Sequence, residues 1–202
     1  MAVMEPNGPN TFNPNANNLD PFYTSGKVMR LIRLDGMPGW ASAHGLNPDY
    51  AYAPADLNYF QNYLTRVGQE TESIRAKYFP TMSKNYYQVT WEPTVLWKDT
   101  DANFLALYKA AYAGPHAKDP NAVVMGPTEL LTTTRLQNLA KLGYANYIDT
   151  VATHGYYDTD TSPSHPPERH QTDANAADVA NSLMNEMRLL RQEMQKEYKP
   201  NT

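Results

Sequence analysis

The sequence predicts an α/β fold of parallel strands joined by crossover helices, and two patterns carry that expectation. Short apolar stretches of strand length alternate four times with longer segments whose apolar residues recur every three or four positions. Each strand-like stretch then runs into a loop punctuated by Gly or Pro, the arrangement of a sheet whose strands all empty onto one loop-bearing face.

Residues 1–26 are rich in Asn and Pro without periodicity, and read as a flexible arm ahead of one domain spanning 27–202. Residues 28–34 alternate apolar and basic, as a strand does, and end at Asp35-Gly36 and the loop Met37-Pro38-Gly39-Trp40. Pro54-Ala55-Asp56 opens a helix with Leu57, Phe60, Leu64 and Val67 on one face, extended by Ile74 and Tyr78 as far as Pro80. The second strand, 86–91, must stop at Glu92-Pro93 because Pro cannot donate to a ladder. Thr100 or Asp101 caps a helix carrying Phe104, Leu107, Tyr108 and Ala111, which Gly114-Pro115 should interrupt. Asp119-Pro120 turns into a third strand, 122–125, ending at Gly126-Pro127. Residues 132–134 cap a short helix with Leu136, Leu139 and Leu142, and Gly143 is its C-cap. A fourth strand, 147–153, ends at His154, and residues 155–172 form a long polar loop. The last helix begins near Asp173 or Ala174, with Val179, Leu183, Met187, Leu190 and Met194 as its buried stripe.

Composition narrows the function. A length of 202 residues suits one domain or a piece of a larger one, and at 41% hydrophobic and 19% charged the chain is not of disordered composition. A net charge of −4 argues against a nucleic-acid partner, and no apolar run nears the roughly 18 residues of a membrane span. With no cysteine, disulfides, thiolate catalysis and Cys-type zinc sites are excluded. Residues 1–18 show no basic start and apolar core of a secretory signal, and the compartment stays unassigned. The 15 Tyr and 3 Trp offer flat faces with polar edges, which suit carbohydrate as well as they suit cores and interfaces. No glycine-rich phosphate loop follows any strand, which lowers the expectation of a nucleotide cofactor.

Sites in such folds collect at the C-terminal ends of the strands, and Glu92 sits at one. Pro93 should restrict it to extended geometry, and Trp91 and Trp97 would give apolar surroundings that favour a protonated general acid. The competing reading is a loop carboxylate beside a structural proline. His154 also ends a strand, placed to bond a substrate hydroxyl or orient a carboxylate, or else simply structural. Trp40 lines a sugar subsite or packs in the core. Glu129 offers a second carboxylate, or a first-turn helix residue near the positive dipole end. Asp99 and Asp101 look like helix caps, and Asp35 reads as a turn residue. Asp158, Asp160, His165 and His170 match no metal-ligand spacing, so no metal is expected.

From Tyr86 to Pro93, followed by Leu96-Trp97, the sequence resembles the fourth-strand region of clan A glycoside hydrolases, most closely glycoside hydrolase family 39 and its relatives. Phe104 to Ala110 is similar to the family's following helix with its Leu-Tyr-Lys. Asp119-Pro120 through Gly126-Pro127 resembles its fifth strand, Asp149 through Tyr156 its sixth strand ending His-x-Tyr, and Met37-Pro38-Gly39-Trp40 its third-strand Met-Pro-x-Trp. The five motifs come in family order between Val28 and Tyr157. The resemblance implies strands three to six of a (β/α)8 barrel, about four β/α units, in a retaining enzyme that cleaves O-glycosyl bonds of a poly- or oligosaccharide without a cofactor. It implies Glu92 as general acid/base, His154 and Tyr156 at the sugar site, and Trp40, Trp91 and Trp97 as further substrate contacts. The family carries Asn before the acid/base, bonding the sugar 2-hydroxyl, where this chain has Trp91.

A whole barrel has eight strands and typically about 250 residues, and a retaining pair needs carboxyls about 5–5.5 Å apart. The family's nucleophile is a Glu ending strand seven, a position this chain does not supply. The expectation is therefore a fragment of the catalytic domain, or a chain completed by self-association or by another segment of the barrel. The rival expectation is a non-catalytic carbohydrate-binding or assembly protein derived from such a barrel, favoured by Trp91 and by the missing nucleophile.

Overall fold

A computed structural model of the 202-residue chain describes residues 1–13, 31–129, 131–154 and 176–198. Four strands, β1 (Leu31–Arg33), β2 (Asn85–Gln88), β3 (Ala122–Glu129) and β4 (Thr150–Thr153), form one all-parallel sheet in the order β1-β2-β3-β4. Helix α1 (Leu57–Tyr78) joins β1 to β2. A one-turn helix α2 (Pro93–Leu96) and α3 (Asp101–His116) join β2 to β3. Helix α4 (Thr133–Lys141) and a 3-10 turn (Tyr144–Asn146) join β3 to β4, and α5 (Ala176–Glu197) follows. The α/β class with parallel strands and crossover helices is therefore the observed one. Crossovers between parallel strands are right-handed as a rule, so this strictly sequential order is expected to set the connecting helices on one face of the sheet.

The register records that sidedness. Ile32, Tyr87 and Val124 are aligned across three strands and buried. Their neighbours Leu31, Tyr86 and Val123 form the next row, which is exposed or half-buried. The helical side of the core holds Phe60, Leu64 and Val67 of α1, Phe104, Leu107 and Tyr108 of α3, and Leu136 and Leu139 of α4.

The capping residues are largely those the sequence indicates. Asp56, Thr100 and Thr132 each accept from the backbone N–H three residues on, satisfying donors that the first turn leaves free. Gly143, at φ +94°, ends α4 in a conformation only glycine adopts without strain.

Four expectations are corrected. Gly114-Pro115 does not interrupt α3, which runs to His116. The glycine instead lets α3 approach α1, since a Cβ there would lie 2.6 Å from Leu64 Cβ. Strand β3 does not stop at Gly126-Pro127 but continues to Glu129. Against β4, the four β3 residues from Met125 to Thr128 face the three from Thr150 to Ala152, a one-residue bulge at the position where Pro127 has no N–H to give. Residues 1–13 do not form a free arm: Met1 is buried, Ala2 N–H donates to Gly36 O at 2.9 Å, and Phe12 packs edge-on to Tyr63. Residues 14–26 lie outside the described ones. On α5, Leu190 and Met194 are buried as expected and Tyr198 joins them, its Oη donating to Leu136 O at 2.9 Å, whereas Met187 is 46% exposed; the side chains of Val179 and Leu183 lie outside the described residues. Among the described residues no helix is long and apolar enough to cross a membrane.

Candidate active site

The C-terminal ends of the strands bring together Arg33 and Asp35 from β1, Trp91 and Glu92 from beyond β2, Glu129 from β3 and His154 from beyond β4. Trp91 is aligned with Thr128 of β3, and Glu92 N–H donates to Thr128 O at 2.7 Å. That bond holds the chain against β3 four residues past the end of β2 at Gln88, before it turns away into α2.

The turn is made at Glu92 itself, whose φ of +42° and ψ of +52° are left-handed. Extended geometry, expected from the following proline, is not what the chain adopts. The proline biases the residue before it toward extended geometry, and the left-handed conformation stands against that bias. Within α2, Val95 N–H and Leu96 N–H both close on Glu92 O, at 2.9 and 3.0 Å, and these bonds select the left-handed alternative. A non-glycine residue in this region costs about 1–3 kcal/mol and persists only where its surroundings over-determine it.

Glu92 Oε1 lies 2.9 Å from His154 Nδ1, a contact between groups 62 positions apart in sequence. The His154 backbone N–H donates to Glu129 O at 2.9 Å, so the ring is carried on a fixed main chain. The Trp91 indole lies between two of these groups, with its ring centroid 4.6 Å from that of His154 and 5.2 Å from the Arg33 guanidinium carbon. Arg33 is oriented by Asp35, which accepts from its Nε and Nη2 at 3.2 and 2.7 Å. This ion pair raises the Arg33 pKa above its ordinary value, chiefly through the hydrogen bond to Asp35. The result is a strip of cation, indole, imidazole and carboxylate across three strands. Trp91 is 39% exposed, leaving part of its flat surface accessible.

Glu129, the candidate second carboxylate, has both its carboxylate oxygens hydrogen-bonded. It is the last residue of β3 rather than part of the following helix, and it is 2% exposed. Its Oε1 accepts from Arg135 Nε at 2.8 Å, and its Oε2 accepts from Thr94 N–H at 3.0 Å and from the Thr94 hydroxyl.

The remaining sequence candidates separate. Trp40 turns to the N-terminal segment, donating from Nε1 to Glu5 O at 2.8 Å and meeting Tyr59 edge-on. Trp97 turns into the core against Phe104 at 4.9 Å, with its indole N–H buried and without a hydrogen-bond partner. Tyr156 lies outside the described residues, as do Asp158, Asp160, His165 and His170. Asp99 is not a cap but accepts from Ala53 N–H and from the Asn103 side chain beside the capping Thr100. Asp35, read as a turn residue, is the partner that fixes Arg33. Among the described residues no cluster of three or more His, Asp or Glu could hold a metal ion.

Sequence reasoning missed Arg33, Thr94 and Arg135. Arg33 had a signal, a basic residue at the end of an alternating strand. Thr94 and Arg135 had none, because their roles depend on where β3 ends. Chemically, the strip can exchange a proton at Glu92, bond a hydroxyl from His154, and stack an apolar ring face on Trp91. The chain matches no protein-family model and no curated protein.

Proposed function

We propose that this chain is part of a retaining glycoside hydrolase of the clan A kind, with its four β/α units contributing half of a (β/α)8 barrel. The observation that carries the reading is the Glu92–His154 contact at the C-terminal ends of sequentially ordered parallel strands, beside the accessible indole of Trp91. Glu92 protonates the departing glycosidic oxygen and then takes a proton from the attacking water. His154 orients the carboxylate, and Trp91 stacks on the apolar face of a sugar ring. Because Glu129 is taken up by Arg135 and Thr94, the nucleophilic carboxylate comes from outside the described residues or from a completing segment of barrel.

A second reading is a non-catalytic carbohydrate-binding or assembly protein. The burial of Glu129 favours it, because the candidate second carboxylate is withdrawn from the site.

The deciding experiment is hydrolysis of a panel of aryl glycosides and polysaccharides by wild type and Glu92→Gln, with calorimetric titration of the same sugars. Hydrolysis that falls at least about 100-fold in Glu92→Gln, the scale of a lost general acid/base, supports the enzyme. Sugar binding without hydrolysis in either protein supports the second reading. Neither binding nor hydrolysis refutes both.

A further inference from the structure

We infer that Glu129, Thr94 and Arg135 form a positioning clamp that holds the Glu92 carboxylate against His154. The inference rests on reading Glu92 as the proton donor, and it gives the buried carboxylate a task in that reaction without making it a reactant.

The clamp acts on both sides of the Glu92–His154 contact. Through its carboxylate, Glu129 accepts two hydrogen bonds from Thr94, two residues after Glu92. Through its backbone carbonyl it accepts the N–H of His154. One residue of β3 thus fixes the main chain that carries the acid and the main chain that carries its partner. Arg135, in the first turn of α4, closes the third side by donating Nε to Glu129 Oε1 at 2.8 Å. A carboxylate 2% exposed needs such a partner, since an unpaired buried charge is strongly unfavourable.

The conformation at Glu92 gives the clamp something to hold. A left-handed glutamate before a proline relaxes toward the extended region unless neighbouring bonds oppose it. Relaxation would rotate the side chain away from His154. The Thr94 bonds resist it from the C-terminal side, and Glu92 N–H on Thr128 O resists it from the N-terminal side. The restraint is specific to the place where proton transfer needs a defined carboxylate position, and a displacement of about 1 Å there costs on the order of 100-fold in rate.

The test uses Thr94→Val, which deletes the hydroxyl while keeping shape and backbone N–H, together with Thr94→Ser, Glu129→Gln and Arg135→Met. The first readout is the 15N spectrum of the histidine side chains, with the His154 signals assigned by His154→Gln and the broken contact defined by Glu92→Ala, which leaves no acceptor. The clamp predicts that Thr94→Val and Arg135→Met move the His154 Nδ1 signal at least halfway to its Glu92→Ala position, and that Thr94→Ser restores it. The second readout is aryl-glycoside hydrolysis, where kcat should fall roughly 10- to 100-fold with KM within about twofold. Folded variants whose His154 signal stays at the wild-type position overturn the clamp, whatever their activity. If Glu129→Gln unfolds, the Thr94 and Arg135 variants still decide. If wild type hydrolyses no glycoside, the proposed function fails, and the nitrogen signals alone judge the clamp.

Discussion

Replacing Gly114 with Ala should destabilise the protein even though alanine is the better helix former. The substitution sits inside α3, where Gly→Ala ordinarily gains about 0.8–1 kcal/mol. Against that stands the close crossing with α1. The new methyl would lie 2.6 Å from Leu64 Cβ and 2.9 Å from Gln61 O, whereas carbon atoms attract best at about 3.5–4.0 Å. The obstructing atoms are a Cβ and a main-chain carbonyl, so no side-chain rotation relieves the overlap. The two helices must separate by about 1 Å. Overpacking of this kind costs about 1–3 kcal/mol, and the absence of a flexible neighbour puts this site at the upper end. The net is a loss of about 1–2 kcal/mol, or a Tm lower by about 2–8 °C for a chain of this size. Gly68→Ala on the facing helix meets Pro115 O at 2.8 Å and should cost a similar amount. Once the helices have parted for one methyl, the second meets less resistance. The double variant should therefore lose less than the sum. Urea unfolding followed by circular dichroism measures all three, and a Gly114→Ala midpoint at or above wild type would show that the helices do not cross at this distance.

Three further outcomes follow from the polar network. Glu72 is held down to about 2 chiefly by its hydrogen bond from Arg75, with Asn121 and Asn85 assisting against the opposing effect of burial. A depressed folded-state value stabilises above the unfolded value near 4.5 and is lost as pH falls toward 2. Glu72→Gln should flatten the acid limb of the stability profile by roughly 1–2 kcal/mol after allowance for solvent screening. His116 is raised, first by its bond to Asp149 and also by Tyr112 O, against desolvation. Its stabilisation is complete below the unfolded value of about 6.5 and fades as pH rises through the higher folded value, so thermal scans of His116→Gln should lose least against wild type at alkaline pH. Tyr87→Phe removes the 2.6 Å bond to the fully buried Asp119, and chemical denaturation should register a loss of about 1.5–3 kcal/mol; an unchanged midpoint would contradict that bond.

What the sequence made legible was whatever depends on local pattern. The parallel α/β order follows from periodicities that change between 2 and 3.6, and the caps at Asp56, Thr100 and Thr132 from side chains that compete for the same backbone donors. Glu92 and His154 were legible because each follows a strand, and strand ends are where such sheets place reactive groups. Trp40 and Trp97 misled because an indole beyond a strand has the same local appearance whether it faces a ligand or a core. Gly114 misled for a related reason: a glycine needed by a neighbouring helix is indistinguishable in sequence from one that breaks its own.

The case of Glu129 shows how one backbone irregularity re-aims a side chain. In a regular strand, side chains alternate faces with a period of two. Val123 and Met125 lie half-buried on the face opposite Val124. Unbroken alternation would set Glu129 on their side of the sheet. The extra residue in the bulge between Met125 and Thr128 reverses that alternation. The carboxylate turns instead toward Arg135 on α4 and Thr94 on α2, and becomes buried. Pro127 gives the reason for an irregularity here, since it has no N–H to offer either neighbouring strand. The dipeptide that looked like the end of β3 is therefore what allows the strand to continue with its faces exchanged. A strand whose last carboxylate is re-aimed in this way holds it between two neighbouring helices. It supplies the frame on which Glu92 and His154 meet.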